Sequence, residues 1–545
     1  MSPRLSGKTM RVTEVVGSGR REGGLPISQG GVSNGRGTSI LPLTTSTPPS
    51  PPLTLRLLLL TALYTCQGLP VGLTLGAIPF LLSSSGASYA QLATVSLAIY
   101  PYSLKVAWSP LVDVVRLVPW LGPRQSWIVP PLGLSLLLWG LLTVQLEGWL
   151  HQLAIGPLTL VLTGLMLAAA TMDIAVDAWS LQLLPLAQRH WQASTQSVGL
   201  SAGACLSFPL FLAGRSPEFG SRWLGLAPDA TEGAISIQTA MLCATVLTAI
   251  PLGMLLLWRQ HLPDEDLEGD LHSRVERSNG QRLRDGYTAA WSLIRLQPIR
   301  ELTLLLLFSR FAMVAMEGML PMVLLSRGYL TDGAMAELAV LQFPVDVIVA
   351  VIAVRLARND ETDENGEGSS VGLTSGGGGP VAHWLQLWKR IFTIRLLFCP
   401  AWLGLLLLWP LVPVSYAFWL TLSTVVLRSL LSNAMFLIQG SIFASVSDPS
   451  IAATTMTLLN SVANAGSVWP YYAALQALSL LPATFEWGSW GSMANTTAIT
   501  LVIWPINVVV AMVWVYPLIN ALGTYALAQW HLPKQRGGNK SRRIP

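Results

Sequence analysis

Long apolar runs alternate with shorter polar stretches from Leu53 to about residue 530. Each apolar run holds about 20 residues or more, which is the length that an α-helix needs to cross a bilayer. The pattern predicts twelve spans, at 54–82, 90–116, 127–147, 152–184, 192–214, 234–258, 301–325, 334–356, 391–410, 413–445, 451–481 and 497–526. The predicted fold class is therefore an all-α membrane protein with twelve transmembrane helices in two six-helix bundles.

Polar segments separate these spans into two groups of six. The predicted units are a disordered N-terminal tail (1–53), an N-terminal bundle (54–259), a charged linker (260–300), a C-terminal bundle (301–530) and a basic C-terminal tail (531–545). An acidic and glycine-rich stretch over 357–390 predicts a disordered loop within the second bundle. Because the N-terminal tail is rich in arginine and poor in acids, it is also compatible with an organellar transit peptide.

Composition and charge support an integral multi-pass membrane protein. The chain is 52% hydrophobic and 11% charged, whereas soluble proteins are about 25% charged. Of its 33 lysines and arginines, only Arg215, Arg222 and Arg327 fall in loops opposite the tails and the linker. The positive-inside rule then places both termini and the linker in the cytosol. We therefore attribute the net charge of +5 to topology and expect a lipid bilayer, not nucleic acid, around the chain.

The four cysteines lie in apolar runs and show neither disulfide nor metal-ligand spacing, so we predict no metal and no cofactor. Polar residues inside the spans recur with a period of three: spans 1, 4, 7 and 10 are the most polar, followed by spans 2, 5, 8 and 11. This repetition is typical of a transporter in which one helix in three lines a cavity. The candidate substrate or coupling residues are Gln67, Lys105, Asp173, Asp177, Arg310, Glu317, Arg428, Asn460 and Asn464.

Asp173 and Asp177 are the most informative of these residues. An aspartate near the centre of a membrane helix costs about 2.5–3.5 kcal/mol, and positions i and i+4 share one helical face. The pair either joins helices through a buried cation or takes part in transport. Within transport, one acid titrates and couples proton movement, or a cation such as Lys105 or Arg310 holds both acids ionised. We favour the second mechanism, because several cations lie in helices predicted to face the cavity.

The cations also have alternative interpretations. Lys105 either contacts substrate or extends to the cytosolic interface near the end of its span. Arg395 lies close to Lys389 and Arg390, which favours an interfacial position over a functional one. Arg428 sits near the middle of its span, where a charge is most costly, and is the better ligand candidate.

Several motifs resemble the acetyl-coenzyme A transporter family (solute carrier family 33) of the major facilitator superfamily. They are Gln-Gly-Leu-Pro-Val-Gly-Leu at 67–73, Tyr-Pro-Tyr-Ser-Leu-Lys at 100–105, Trp-Ser-Pro-Leu-Val-Asp at 108–113, Asp-Ile-Ala-Val-Asp-Ala-Trp at 173–179, and the blocks at 447–449, 455–464 and 469–470. The resemblance covers about 54–530 and adds Trp179 to the candidate residues. It also implies a cytosolic gate formed by Asp113, for which Arg124 is the available cation.

The resemblance implies a transporter that carries acetyl-CoA from the cytosol into an organelle lumen, typically of the endoplasmic reticulum. Exchange for CoA and coupling to protons both remain open, as does the oligomeric state. The alternative substrates are other large anionic or amphiphilic solutes, similar to muropeptides or folates.

A membrane-embedded acyltransferase is a further alternative, but none of the six histidines lies deep in a span to act beside the acids. An aspartyl protease would need its two aspartates on facing helices, whereas Asp173 and Asp177 share one. We therefore expect no enzymatic activity.

Overall fold

A computed structural model describes most of the membrane region of the chain. The described residues are 52–184, 191–227, 232–258, 278–313, 380–408, 412–446, 452–479, 508–509, 511–525 and 527–530, with groups of one to three residues between 334 and 348. The predicted C-terminal tail and the predicted N-terminal tail up to residue 51 lie outside these ranges, as do most of the predicted loop and the first part of the linker.

The described residues form helices and contain no β-strand. The α-helices are α1 (Leu53–Gly72), α2 (Ile78–Ser84), α3 (Tyr89–Ser96), α4 (Tyr100–Leu104), α5 (Ser109–Val114), α6 (Gln125–His151), α7 (Ile155–Leu183), α8 (Trp191–Ser207), α9 (Pro209–Arg215), α10 (Pro217–Trp223), α11 (Ile237–Trp258), α12 (Asn279–Arg295), α13 (Gln297–Ser309), α14 (Pro380–Leu408), α15 (Val414–Val446), α16 (Ala452–Ser479) and α17 (Tyr516–Leu522). A π-helical turn at Leu73–Ala77 joins α1 to α2, so the first span is one helical segment.

Six helical segments within the described ranges are long and apolar enough to cross a membrane. They are Leu53–Ser84, Gln125–His151, Ile155–Ser180, Thr195–Arg215, Ile237–Leu257 and Phe418–Phe443. These segments correspond to predicted spans 1, 3, 4, 5, 6 and 10. The all-helical membrane fold predicted from the pattern is therefore confirmed.

The second predicted span, 90–116, is not one regular helix. It divides into α3, α4 and α5, which are separated by 3₁₀ turns at Leu97–Ile99 and Lys105–Ala107. Pro101 and Pro110 lie in the first turns of α4 and α5, where proline is tolerated because the first N–H groups of a helix have no intrahelical partner. The break places Lys105 in an irregular turn within the membrane region.

The disordered loop predicted over 357–390 ends earlier than the sequence indicates. Helix α14 begins at Pro380, so the prediction is wrong for residues 380–390. Trp388 on this first part of the helix is buried and stacks on Phe392, with ring centroids 5.2 Å apart. This aromatic packing gives the start of the helix a buried face. The acidic and glycine-rich composition of the preceding stretch gave no indication of it.

Glycines bring α1 and α8 into close contact. A Cβ atom on Gly68 would lie 2.3 Å from the carbonyl oxygen of Leu200, and one on Gly203 would lie 2.2 Å from that of Thr65. Small residues at such positions allow two membrane helices to approach at backbone distance. The contact holds the polar side chains of α8 next to those of α1.

Buried apolar clusters fill each half of the molecule, and a smaller cluster lies where the halves meet. This central cluster joins Ile99 and Met166 of the first half to Val468 of α16. Helix α16 packs against α3 and α4 along the same boundary. The polar residues considered next are arranged around it.

Candidate functional site

Lys105 and Asp173 form a buried ion pair between the broken second span and α7. The Lys105 ammonium donates to Asp173 Oδ2, and the two side chains are 5% and 6% exposed. An ion pair so deeply buried stabilises a fold only when its partners stay together, because either charge alone would lack compensation. The structure thus assigns Lys105 to Asp173 and not to the interface.

Asp177 lies one turn further along α7 and has different partners. Its Oδ1 accepts hydrogen bonds from the Tyr64 hydroxyl at 2.8 Å and from Gln196 Nε2 at 3.2 Å. Both donors are neutral, and they come from α1 and α8. The spacing predicted that both acids share one face, and the structure shows that they have different hydrogen-bond partners on it.

Two further candidate residues on the first half are also buried, but in different ways. Gln67 is fully buried, and neither polar atom of its side chain has a hydrogen-bond partner among the described residues. Trp179 is fully buried in the apolar cluster that contains Leu60 and Trp127. Apolar packing accounts for the burial of Trp179 without a substrate, whereas it does not account for the burial of the unpartnered Gln67 amide.

The candidate residues of α16 lie at the boundary between the halves. Asn464 Nδ2 donates to the main-chain oxygen of Tyr102, at 3.4 Å. Asn460, one turn earlier, is partly buried. Asn464 therefore links the second half to the same broken span that supplies Lys105.

In the second half, Arg428 belongs to a network of neutral polar side chains. Its guanidinium donates to Gln342 Oε1 at 3.5 Å, and Gln342 Nε2 donates to Ser429 Oγ at 3.3 Å. Asn433 Nδ2 donates to the same hydroxyl at 3.4 Å. Gln342 was not among the predicted site residues. The sequence did offer one indication of it, which is an amide side chain inside an apolar run.

Arg310 and Arg395 are two further cations of this half. Arg310 is partly buried directly after the last residue of α13. Arg395 is only 6% exposed, and its guanidinium lies 3.0 Å from Met435 Sδ on α15. Arg395 is thus buried against α15, which the sequence did not indicate, while the interfacial depth that the sequence favours for it stays a prediction. Glu317 lies outside the described residues.

The two predicted gate residues form an ion pair at the linker end of the helices. Arg124 Nη1 lies 2.7 Å from Asp113 Oδ1 in a partly exposed position. Helix α12 of the linker covers the same end, since the Tyr287 hydroxyl donates to the main-chain oxygen of Ala107 at 2.7 Å. The contact of α12 with this end was not predicted.

An ion pair that the sequence did not indicate lies at the opposite end. Arg222 on α10 contacts Glu337 at 2.8 Å, and the Trp223 indole donates to the same carboxylate oxygen at 3.2 Å. Arg222 is in the first half and Glu337 in the second. Polar contacts thus connect the two halves at this end and through Asn464 and Tyr102. The polar contacts at the linker end join parts of the first half to each other and to α12.

Long apolar helices in two bundles give the chain the fold of the major facilitator superfamily. A bacterial homologue of the human lysosomal transporter Spinster has this fold, with a TM-score of 0.52 over 88% of this chain and 98% of the other, at 16% identity. The family described as acetyl-coenzyme A transporter 1 matches residues 56–485. The chain belongs to this family.

Two curated relatives also cover parts of the chain. An uncharacterised protein of Schizosaccharomyces pombe is 29% identical over 432 residues, which are 77% of this chain and 73% of the relative. The anhydromuropeptide permease of Escherichia coli K12 is 27% identical over 188 residues, or 34% of each chain.

Proposed function

We propose that the protein carries acetyl-CoA from the cytosol into the lumen of an organelle, typically the endoplasmic reticulum, by alternating access. The family match supports the substrate, and one structural observation supports the site. Arg428 is a partly buried cation in a membrane helix that donates to a neutral amide. An arginine in such surroundings is suited to bind a phosphate, which it can contact through two parallel N–H groups.

The charges of the first half favour the same assignment. A coenzyme A thioester carries about four negative charges on its phosphates and needs cations to cross the membrane region. The Lys105 charge is already compensated by Asp173, so this half offers little net attraction for an anion. We therefore place the phosphates of the substrate against Arg428.

Alternating access requires contacts that open in turn at the two ends of the molecule. We assign the Asp113–Arg124 pair and α12 to the cytosolic gate, because the positive-inside rule places the linker in the cytosol. The Arg222–Glu337 pair then belongs to the lumenal gate. Opening one gate while the other stays closed would expose the Lys105–Asp173 region to each side alternately.

The direct test is uptake of radiolabelled acetyl-CoA by proteoliposomes that contain the purified protein. We expect saturable uptake, and comparing vesicles with and without internal CoA distinguishes exchange from uniport. A pH gradient imposed in either direction tests coupling to protons. Absence of uptake by correctly folded, reconstituted protein under all these conditions would contradict the proposal.

Another large anionic or amphiphilic solute is the second candidate, and the similarity to the anhydromuropeptide permease over a third of the chain supports it. Competition distinguishes the two candidates, because an excess of anhydromuropeptide should leave acetyl-CoA uptake unchanged. The proposal involves no chemical conversion of the substrate. Chromatography of the vesicle contents should therefore recover acetyl-CoA intact, whereas conversion to free CoA would indicate an acyltransferase or a hydrolase.

A further inference from the structure

Gln67 has hydrogen-bonding capacity that none of the described residues uses. The side chain is fully buried on α1, and both the amide nitrogen and the amide oxygen have no hydrogen-bond partner there. A buried polar group without a partner is costly, because it loses its hydrogen bonds to water and gains none in return. Gln67 offers both one donor group and one acceptor to a molecule that reaches it.

The neighbours of Gln67 on α1 show where it lies. Tyr64, Gln67 and Val71 are spaced three and four residues apart, so they form one stripe along the helix. At one end of the stripe, Tyr64 contacts Asp177 of α7. At the other end, Val71 packs against the central cluster that also contacts Tyr102. Gln67 therefore lies between the acidic region and the boundary between the halves.

Tyr102 presents a second unused polar atom at this boundary. Its hydroxyl is buried and has no hydrogen-bond partner among the described residues. The Lys105 ammonium lies 5.8 Å from the centre of the Tyr102 ring, and the Tyr102 main-chain oxygen accepts the bond from Asn464. A phenol and a primary amide are thus two of the buried groups with spare hydrogen-bonding capacity, together with hydroxyls such as those of Ser103 and Ser461.

We propose that Gln67 and the Tyr102 hydroxyl bind an amide group in the extended arm of the substrate. This inference rests on the proposed function, because the pantetheine arm of acetyl-CoA contains two secondary amides. The N–H and C=O of a trans amide point in opposite directions, so one glutamine side chain can serve only one of them. Gln67 can donate to the carbonyl or accept the amide N–H, and the Tyr102 hydroxyl can make the bond on the other edge. The arm then lies against the first half, while Arg428 of the second half holds the phosphates.

Two fragments of the substrate test the amide contact and the phosphate contact independently. Pantetheine carries the amides without the phosphates of the nucleotide, and adenosine 3′,5′-bisphosphate carries phosphates without the amides. Both fragments should inhibit acetyl-CoA uptake by the wild type. We expect Gln67→Leu to raise the half-inhibitory concentration of pantetheine about tenfold, which corresponds to about 1.4 kcal/mol. The same substitution should leave inhibition by adenosine 3′,5′-bisphosphate unchanged.

Arg428→Gln is the matched control, because it should weaken inhibition by adenosine 3′,5′-bisphosphate and leave inhibition by pantetheine unchanged. Tyr102→Phe should reproduce the effect of Gln67→Leu at smaller amplitude. Equal inhibition of wild type and Gln67→Leu by pantetheine would overturn the assignment while leaving acetyl-CoA transport in place.

A binding measurement keeps the two proposals distinguishable. Pantetheine should raise the thermal unfolding temperature of the detergent-solubilised wild type and not that of Gln67→Leu. If the wild type shows this stabilisation but takes up no acetyl-CoA, the transport proposal fails and the amide site stands. If pantetheine stabilises neither protein, or both equally, the amide site is wrong. Unliganded Gln67→Leu should unfold at or above the wild-type temperature, because leucine removes a buried polar group that lacks a partner.

Discussion

The buried charged side chains of the transporter have different kinds of partner in its two halves. In the first half, Lys105 is paired with Asp173, and Asp177 accepts hydrogen bonds from neutral donors. In the second half, the guanidinium of Arg428 donates to the neutral amide of Gln342. The first half thus contains charges that compensate each other, whereas the second presents a cation whose charge can attract an anion. Breaking the Lys105–Asp173 pair in the first half should chiefly affect folding, and the Arg428 substitution in the second half should chiefly affect binding.

The largest effect on stability is expected for Asp173→Asn. This change leaves the Lys105 ammonium buried without its counter-charge, which costs about 3–5 kcal/mol. The thermal unfolding temperature of the solubilised protein should fall strongly, and uptake should be lost with it. A Lys105→Met/Asp173→Asn double variant should unfold at a higher temperature than either single variant. If the double variant is no more stable than Asp173→Asn, the ion pair is not what holds these helices together.

The largest effect on transport without loss of stability is expected for Arg428→Gln. A hydrogen bond to a charged group contributes about 1.5–3 kcal/mol, so uptake should fall roughly ten- to hundredfold at low substrate concentration. The unfolding temperature should stay near that of the wild type. Arg428→Lys keeps the charge but loses the planar fork, and its uptake should be intermediate. Wild-type uptake by Arg428→Gln would show that the cation is structural.

Asp177→Asn should have a smaller effect on folding than Asp173→Asn. Asparagine keeps an acceptor for the Tyr64 hydroxyl and breaks no described ion pair, so the cost should be about 1 kcal/mol. The comparison of the two unfolding temperatures checks this directly. An equally large loss in both variants would mean that one cation holds both carboxylates, which is the arrangement favoured by the sequence alone.

The smallest effect is expected at the gate opposite the linker. The Arg222 side chain is 67% exposed, and exposed ion pairs contribute about 0–1 kcal/mol. Glu337→Gln should therefore leave the unfolding temperature unchanged, while it alters how often this end opens. Accessibility to a membrane-impermeant thiol reagent of a cysteine placed at Leu338, which is 3% exposed next to Glu337, measures that opening. No change in labelling rate would show that the pair does not restrain the gate.

The sequence predicts the fold well, because the backbone N–H and C=O groups of each long apolar run find hydrogen-bond partners within the run only if it forms a helix. It also predicts that Asp173 and Asp177 share a face, since their spacing alone determines this. Lys105 was a candidate cation for both acids, but which acid it pairs with and which donors bind the other could not be predicted. These depend on the irregular turn that carries Lys105 and on the glycine contacts that bring α8 to α1. The burial of Arg395 was missed for a related reason: α14 begins at Pro380 instead of near residue 391, so Arg395 lies well inside the helix and not in its first turns.

The glycine contacts between α1 and α8 also have a mechanical consequence. Where two backbones touch directly, as at Gly68 and Gly203, no long side chains lie between the helices to change rotamer as they slide. These two helices should therefore move together as one rigid body. The displacement that opens the transporter would then take place where side chains separate the elements, along the boundary that α16 shares with α3 and α4. A crosslink between α1 and α8 should leave turnover intact, whereas one across that boundary should stop it.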